Sequence, residues 1–349
     1  MKINLSEKEL KLLDNLFKID EQNKVIADFI MFYIDNAKDI KKPDIFNQMI
    51  SQFQLDKKFV KLLKDYNLDK NIKKLDVNEY KNNDYFKNIK LDNICKGDYK
   101  FKLEKFNPYE GFLCESIKTI DINKEITSLG YFEKEYEYIT LSYKDNIWML
   151  ISPHEINTMK KSIQEASGNV ITFGLGLGYY AYMISNKEEV KSVTIIEKDE
   201  NIIELFNRYI YPQFKNKEKI KIINEDALKY INIKPFPYDY AFVDLWRDVD
   251  DGLQLYVKML KKSFALKTKF SFWIEESMLI MLRRCLITLL YEKVNDICCE
   301  DIDSYYDVMI AKFDNILKEY NINSFEDIKV LLSNETIYKL LKKSWPRSG

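Results

Sequence analysis

The sequence predicts an α/β protein built on a doubly wound, mostly parallel sheet. Three observations lead to this class: five short apolar runs rich in β-branched residues, helical segments between successive runs, and three alternating glycines after the first run. Such runs are typical of buried strands, and their alternation with helices indicates a parallel sheet. We expect four parts in order: a helical N-terminal domain (1–99), a small antiparallel β unit (100–151), the α/β core (152–276) and a C-terminal helical extension (277–349).

The first hundred residues show helical periodicity. Leu10, Leu13 and Phe17 recur at the spacing of one helix face. Ser6 followed three residues later by Glu9 is typical of a capping box, in which each residue satisfies a backbone N–H of the other. We therefore expect the first helix to begin here.

The β unit and the helix after it are marked by turn and cap residues. From about residue 100 the apolar period approaches two, and Asp145 and Asn146 supply a turn between two strands. Ser152, Pro153 and Glu155 then predict a helix start, with serine as N-cap, proline in the first turn and glutamate closing a capping box.

The core alternates strand and helix five times. The strands are predicted at 169–173, 193–197, 220–223, 240–244 and 270–274. Apolar stripes at helical spacing fill the segment after the fifth strand. The sequence contains no pattern for a closing antiparallel hairpin, so the extension is predicted to be helical.

The glycine run follows the first core strand directly. Gly174, Gly176 and Gly178 remove side chains where the backbone must turn tightly and approach a ligand, and a helix start beyond them attracts an anion. A dinucleotide fingerprint would need glycine at position 179, where this chain has Tyr179. The run therefore predicts a nucleotide crevice of another kind.

Carboxylates stand at the ends of the next three strands. Glu197 ends the second strand, Asp226 follows the third, and Asp244 ends the fourth. Ligands of such sheets bind at the carboxyl ends of the strands. We therefore expect the three acids to share one crevice with the glycines.

This order of motifs resembles class I S-adenosylmethionine (SAM)-dependent methyltransferases. The G-x-G-x-G spacing resembles their motif I, Glu197 with Lys198 and Asp199 resembles motif II, and Asp244 resembles motif IV. The resemblance covers roughly residues 168–275 and implies a Rossmann-like core with SAM as cofactor. It also implies that Glu197 holds the ribose, that Asp226 meets the adenine amino group and that the SAM carboxylate lies near the glycine loop.

A finer resemblance is to the spermidine-synthase branch of that superfamily, in which a small β domain and a helical segment precede the cofactor core. Two positions depart from it. Those synthases carry an aspartate between the second and third glycines, which holds the amine of decarboxylated SAM, and this chain has Leu177 there. Their second aspartate after the fourth strand is replaced by Arg247. The departures disfavour polyamine synthesis.

Five residues are candidates for contact with the substrate. Asp244 is the candidate catalytic residue, because a strand-end carboxylate can accept a proton from an amine or hydroxyl or orient it. Trp246 could cover the ligand and Arg247 could pair with a substrate carboxylate. His154 is either a general base or a surface residue, and Glu275 faces the crevice by topology.

Composition argues against several classes of function. Lys and Arg number 54 against 55 Asp and Glu, and only five of the cations are arginines, which disfavours a nucleic-acid partner. One histidine and five cysteines without framework spacing argue against a metal site and against disulfides. Without an apolar leader or long uncharged segment, we expect a cytoplasmic protein outside the membrane. A homo-oligomer is compatible with the sequence.

The leading hypothesis is methyl transfer from SAM to an unidentified small molecule. One alternative is an aminopropyl- or aminocarboxypropyl-transferase, which uses the same cofactor scaffold but attacks another carbon. The other is a non-catalytic SAM-binding protein whose helical parts form an interaction surface. Methyl transfer needs little beyond in-line positioning, so the lack of an obvious catalytic set does not separate them.

Overall fold

The computed structural model describes residues 1–36, 44–91, 94–297 and 304–343, and the predicted α/β class is confirmed. The helices are α1 (Glu7–Asn36), α2 (Ile45–Gln52), α3 (Lys57–Asp65), α4 (Val77–Lys81), α5 (Asp84–Asn88), α6 (Pro153–Glu165), α7 (Tyr179–Ser185), α8 (Glu200–Leu205), α9 (Ala227–Tyr230), α10 (Val249–Ser263), α11 (Glu275–Val294), α12 (Tyr305–Ile316), α13 (Phe325–Leu331) and α14 (Asn334–Lys343). The strands are β1 (Lys2–Ile3), β2 (Ile72–Lys74), β3 (Cys95–Lys96), β4 (Tyr99–Phe106), β5 (Phe112–Leu113), β6 (Lys118–Ile120), β7 (Lys124–Ile126), β8 (Leu129–Tyr131), β9 (Tyr136–Tyr143), β10 (Asn146–Leu150), β11 (Gly168–Phe173), β12 (Val190–Glu197), β13 (Ile220–Asn224), β14 (Tyr240–Val243), β15 (Lys269–Phe272) and β16 (Asn321–Ile322).

The largest sheet has five strands in the order β13-β12-β11-β14-β15, and every neighbouring pair is parallel. All five strands predicted for the core are therefore present. The chain moves outward from β11 through β12 to β13, then returns to the other side of β11 for β14 and β15. The strand order reverses at β11, which is where ligands bind in open parallel sheets.

The β unit contains a four-stranded antiparallel sheet in the order β10-β9-β4-β3. The predicted hairpin joins β9 to β10. The register between these strands shifts between Ile147 and Met149, so the edge strand β10 carries an irregularity at Trp148. Irregularities of this kind redirect side chains and are common beside binding sites.

Several two- or three-residue strands correct the purely helical prediction for the two ends of the chain. β2 pairs with β8, β3 pairs with β4, and β1 pairs with β16 in the C-terminal extension. Such short segments cannot display a period of two, so the pattern of the sequence does not reveal them. They join both helical regions to the rest of the fold.

The predicted capping residues are only partly confirmed. At α1 the Ser6 N–H donates to the Glu9 carboxylate (3.0 Å) and the Glu9 N–H donates to Ser6 Oγ (3.4 Å), so this capping box is confirmed. At α6 Ser152 Oγ accepts from the Glu155 N–H (3.5 Å) behind Pro153. The reciprocal bond from Glu155 is not formed. Its side chain instead lines the cavity described below.

One cluster of buried apolar side chains runs from Leu13 in α1 through the central sheet to Leu341 in α14. A second cluster joins the later part of α1 to α2 and α3 around Tyr33 and Met49. The helical ends thus share their core with the sheet, and the division into four domains stays a prediction. None of the helices in the described ranges has the length and apolar character needed to cross a bilayer.

Candidate functional site

A cavity of about 450 Å³ lies at the carboxyl ends of β11, β12 and β14. Its walls come from the glycine loop, the segments after β12, β13 and β14, the start of α6 and the edge strand β10. Seven predicted site residues line it: Gly174, Gly176, Glu197, Asp226, Asp244, Trp246 and Arg247. The structure therefore brings together the glycines and acids that the sequence placed at separate strand ends.

Two of the three glycines are required by close packing. A Cβ atom at Gly174 would lie 2.0 Å from the Asp244 carbonyl oxygen, and one at Gly178 would lie 2.5 Å from the ring of Phe206. Both residues also have positive φ angles, of 101° and 73°. Gly178 faces the core and does not line the cavity.

Gly176 differs because a Cβ atom there would meet nothing within 4 Å. The residue lines the cavity at a φ of 53°. Within the described ranges, the N–H groups of Gly176 and Leu177 donate to no protein acceptor. The loop therefore offers open space and two backbone donors to a ligand.

Glu197 ties the glycine loop to the end of β12. One carboxylate oxygen accepts from the Leu175 N–H (3.1 Å) and the other accepts from the Asp199 N–H (2.9 Å). A carboxylate has about four lone-pair positions, so each oxygen can accept a further bond from a ligand hydroxyl. Glu197 both fixes the loop and presents acceptors to the cavity.

Asp226 lies beyond β13 as the N-cap of α9. One of its oxygens accepts from the Lys229 N–H at 3.1 Å. The residue also lines the cavity beside Glu225, whose carboxylate accepts from the Asp226 N–H (2.9 Å). The cap holds the Asp226 side chain at the rim, where its second oxygen can meet a donor on a ligand.

Asp244 is the acid without a protein donor. Its carboxylate accepts no hydrogen bond from any residue that the structure describes, whereas its backbone N–H donates to the Phe173 carbonyl (2.9 Å). Burial raises the pKa of Asp244 well above its ordinary value, and repulsion from the nearby Glu155 carboxylate raises it further. The cavity thus contains a carboxylate that gains a proton readily.

Trp246 and Arg247 have unequal positions on the cavity wall. Trp246 is buried, packs against Gly252 and meets Tyr256 edge to face at 6.1 Å. Its Nε1 has no partner among the described residues. Arg247 is exposed, and its Nε donates to Asp251 (3.0 Å) at the start of α10. Arg247 is therefore already paired within the protein.

His154 and Glu275 lie outside the cavity lining. The His154 ring meets Trp273 edge to face at 6.3 Å. Glu275 accepts from the hydroxyls of Tyr256 (3.0 Å) and Tyr338 (2.9 Å), and burial raises its pKa. Glu275 is therefore already paired within the protein. Neither His154 nor Glu275 reaches the cavity surface.

The sequence does not predict two parts of the site. The spacing of Glu155 from Ser152 predicts a helix cap, although a place in the first turn of α6, after a predicted strand, also fits a cavity residue. The wall from β10 is not predicted, because its pattern places the strand only in the β unit. Trp148 on this wall packs against Tyr99 at 5.9 Å. Contacts between separate sheets have no local signature in the sequence.

No cluster of three or more histidine, cysteine, aspartate or glutamate side chains with metal-binding geometry occurs in the described ranges. Among the acids around the cavity, Glu197 and Asp226 accept from backbone N–H groups, and Asp244 lies near Glu155. The site is therefore best described by its carboxylates and backbone N–H groups.

Comparisons with known proteins give partial similarities. No protein-family model matches the chain. Among curated proteins it is similar to a polyamine aminopropyltransferase of Clostridium botulinum (strain Eklund 17B / Type B), with 28% identity over 93 residues, which is 26% of this chain and 32% of that protein. The chain therefore matches about a third of the length of this relative.

Among solved structures the chain is similar to the spermidine synthase of Thermotoga maritima, with a TM-score of 0.29 and 13% identity over 38% of this chain and 48% of the other. It is also similar to a spermidine synthase in complex with the transition state analogue AdoDATO, with a TM-score of 0.31 and 13% identity over 42% of this chain and 54% of the other.

Proposed function

We propose that the chain is a transferase that moves an alkyl group from the sulfonium of an adenosyl compound to an amine nitrogen. The observation that carries this proposal is the Asp244 carboxylate, which has no protein donor among the described residues and lies near Glu155 in the cavity beside the glycine loop. A partly buried carboxylate of raised pKa is suited to take a proton during the reaction.

The donor nucleoside would bind along the ends of β11, β12 and β13. Glu197 has lone pairs left for ribose hydroxyls after its bonds to Leu175 and Asp199. Asp226 has an oxygen available for the adenine amino group. Gly176 leaves open space for the rest of the donor, so SAM or its decarboxylated form is the proposed cofactor.

The acceptor would bind between Asp244 and Glu155. Two neighbouring carboxylates attract an ammonium group, and their repulsion is relieved when it binds. Asp244 takes the proton, the nitrogen attacks the carbon next to the sulfonium, and the carbon–sulfur bond breaks. Its electron pair goes to sulfur, which leaves as a neutral thioether. A carboxylate of raised pKa is the stronger base for this step.

Two observations favour different transferred groups. The partial similarity to a polyamine aminopropyltransferase favours aminopropyl transfer. Leu177, a residue of the cavity lining, favours methyl transfer, because leucine has no charge to compensate that of an aminopropyl ammonium group. We retain methyl transfer as the second candidate on the basis of Leu177. The cavity volume is in the range of small-molecule sites and supports a small acceptor.

Product analysis tests the proposal. The protein is incubated with SAM or decarboxylated SAM, each with a diamine and a monoamine, and the nucleoside product is identified by mass spectrometry. Methylthioadenosine from decarboxylated SAM indicates aminopropyl transfer, and from SAM it indicates aminocarboxypropyl transfer. S-adenosylhomocysteine indicates methyl transfer. Binding by calorimetry without any product would leave a non-catalytic binding protein, and no binding would refute every adenosyl-sulfonium hypothesis.

A further inference from the structure

The glycine loop is held on one side by α5 and the residue before it. The Tyr85 hydroxyl donates to the Leu177 carbonyl at 2.5 Å, in a buried contact between residues 92 positions apart. Asn83 Nδ2 donates to the Tyr179 hydroxyl (2.9 Å), and Asn83 Oδ1 accepts from the Tyr85 N–H (2.9 Å). Asn83 and Tyr85 thus connect the start of α5 to both the loop and the first residue of α7.

These contacts fix one peptide unit of the loop at both of its polar groups. The Leu177 carbonyl accepts from Tyr85, while the Gly178 N–H, on the same peptide, donates to the Leu175 carbonyl (2.9 Å). Rotation of this peptide changes ψ of Leu177 and φ of Gly178, and Gly178 has no side chain to restrict it on its side. The Tyr85 bond therefore restricts a peptide whose rotation the glycine makes easier.

The environment of Tyr85 keeps it a donor. Its side chain is fully buried, and its ring packs edge to face against Tyr182 and at a steep angle to Tyr179, each at 5.5 Å. Burial raises the pKa of the Tyr85 phenol, so the hydroxyl keeps its proton throughout the pH range of a folded protein. The Leu177 carbonyl consequently has a constant partner.

We propose that Tyr85 is a positioning residue that holds the Leu177 carbonyl away from the cavity and keeps the glycine loop in its ligand-binding form. This inference rests on the proposed function, because the ligand is the adenosyl donor. Rotation of the peptide would turn a carbonyl oxygen toward the space beside Gly176. The oxygen would then occupy the space in which the adenosyl donor meets the Gly176 and Leu177 N–H groups. The helical N-terminal region would thereby contribute directly to cofactor affinity.

The test compares Tyr85→Phe with Tyr182→Phe. The Tyr182 side chain is equally buried in the same cluster, but its hydroxyl has no hydrogen-bond partner among the described residues. Both variants lose one oxygen from one buried tyrosine, and only Tyr85→Phe removes a bond to the loop. Thermal unfolding of each unliganded variant identifies any general loss of stability.

Two readouts are recorded on the full chain. The first is amide hydrogen exchange of Gly178 without ligand, which we expect to be about three- to tenfold faster in Tyr85→Phe, since one hydrogen bond typically contributes a factor of this size. The second is the calorimetric affinity for S-adenosylhomocysteine, which we expect to fall by a similar factor. In the transfer assay KM for the donor should rise while kcat stays within about twofold.

The outcomes separate the inference from the proposed function. Faster exchange and weaker binding in Tyr85→Phe, with Tyr182→Phe like wild type, support the inference. Unchanged exchange in Tyr85→Phe overturns it, and so do equal effects in the two variants. If exchange is faster but wild type binds neither S-adenosylhomocysteine nor methylthioadenosine, the proposed function fails, and with it the role of Tyr85 in cofactor affinity.

Discussion

Glu197 is the last residue of β12 and Asp244 directly follows β14, the two strands that flank β11, yet their carboxylates have opposite surroundings. Backbone N–H groups of Leu175 and Asp199 compensate the charge of Glu197, one at each oxygen. Asp244 has no such donor in the described part of the chain and lies near a second carboxylate, that of Glu155. Acids at equivalent places in the topology thus differ in what they can do: Glu197 holds the glycine loop, and Asp244 can exchange a proton.

Asp244→Asn, directly after β14, should lower catalytic activity more than any other substitution described below. Asparagine has nearly the same shape but cannot take the proton, so we expect kcat/KM to fall by about 10²–10⁴-fold, the usual contribution of a general base. Steady-state kinetics with the identified donor and acceptor measure it. Asp250→Asn, an exposed position in the first turn of α10, is the control. A loss below about fivefold would remove Asp244 from the proton transfer.

Glu197→Ala tests the β12 end. The Leu175 and Asp199 N–H groups lose their acceptor and the loop loses an anchor, so we expect the affinity for S-adenosylhomocysteine to fall about tenfold or more. Calorimetry measures it, with Glu200→Ala at the exposed start of α8 as the control. If Glu197→Ala binds S-adenosylhomocysteine as tightly as wild type does, Glu197 does not anchor the loop for ligand binding, and the contrast with Asp244 fails.

Glu155→Gln should shift a pH profile. Burial and then Glu155 raise the pKa of Asp244, and removal of the neighbouring charge lowers that pKa. Because the base acts only when deprotonated, kcat/KM rises with pH through this pKa, and the variant should reach its plateau at lower pH. A profile that stays in place, or moves to higher pH, would show that the two carboxylates do not interact in the working enzyme.

The smallest expected effect is on stability. The folded-state pKa of Asp244 lies above its unfolded value, so its contribution to stability is fully present below the unfolded pKa and is lost as the pH rises through the folded pKa. Asp244→Asn avoids this loss, and its Tm should exceed that of wild type by roughly a few degrees at neutral pH. Calorimetric scans should show this difference shrinking toward pH 4. A constant difference would contradict the assigned cause.

The five core strands and the three strand-end acids could be predicted because each is marked by a local pattern and a place in the strand order. Other parts of the site depend on tertiary contacts. The spacing of Glu155 from Ser152 predicts a cap, and only packing shows that Glu155 lines the cavity instead. The bond from Tyr85 to Leu177 joins residues 92 positions apart and leaves no trace in either segment. Glu275 follows a core strand, as predicted, but the hydroxyls of Tyr256 and Tyr338 donate to its carboxylate.

The order in which the chain is synthesised has a consequence for α1. Its early residues pack against elements made much later: Phe17 meets Tyr291 of α11 at 5.0 Å, and Glu9 accepts from the Phe325 N–H at 3.1 Å. At translation rates of about 5–20 residues per second, roughly ten to fifty seconds pass between the synthesis of α1 and that of α11. During that time its apolar face, with Leu13 and Leu16, lacks these partners. The apolar face of α1 therefore stays without these native contacts until the C-terminal helices have been made.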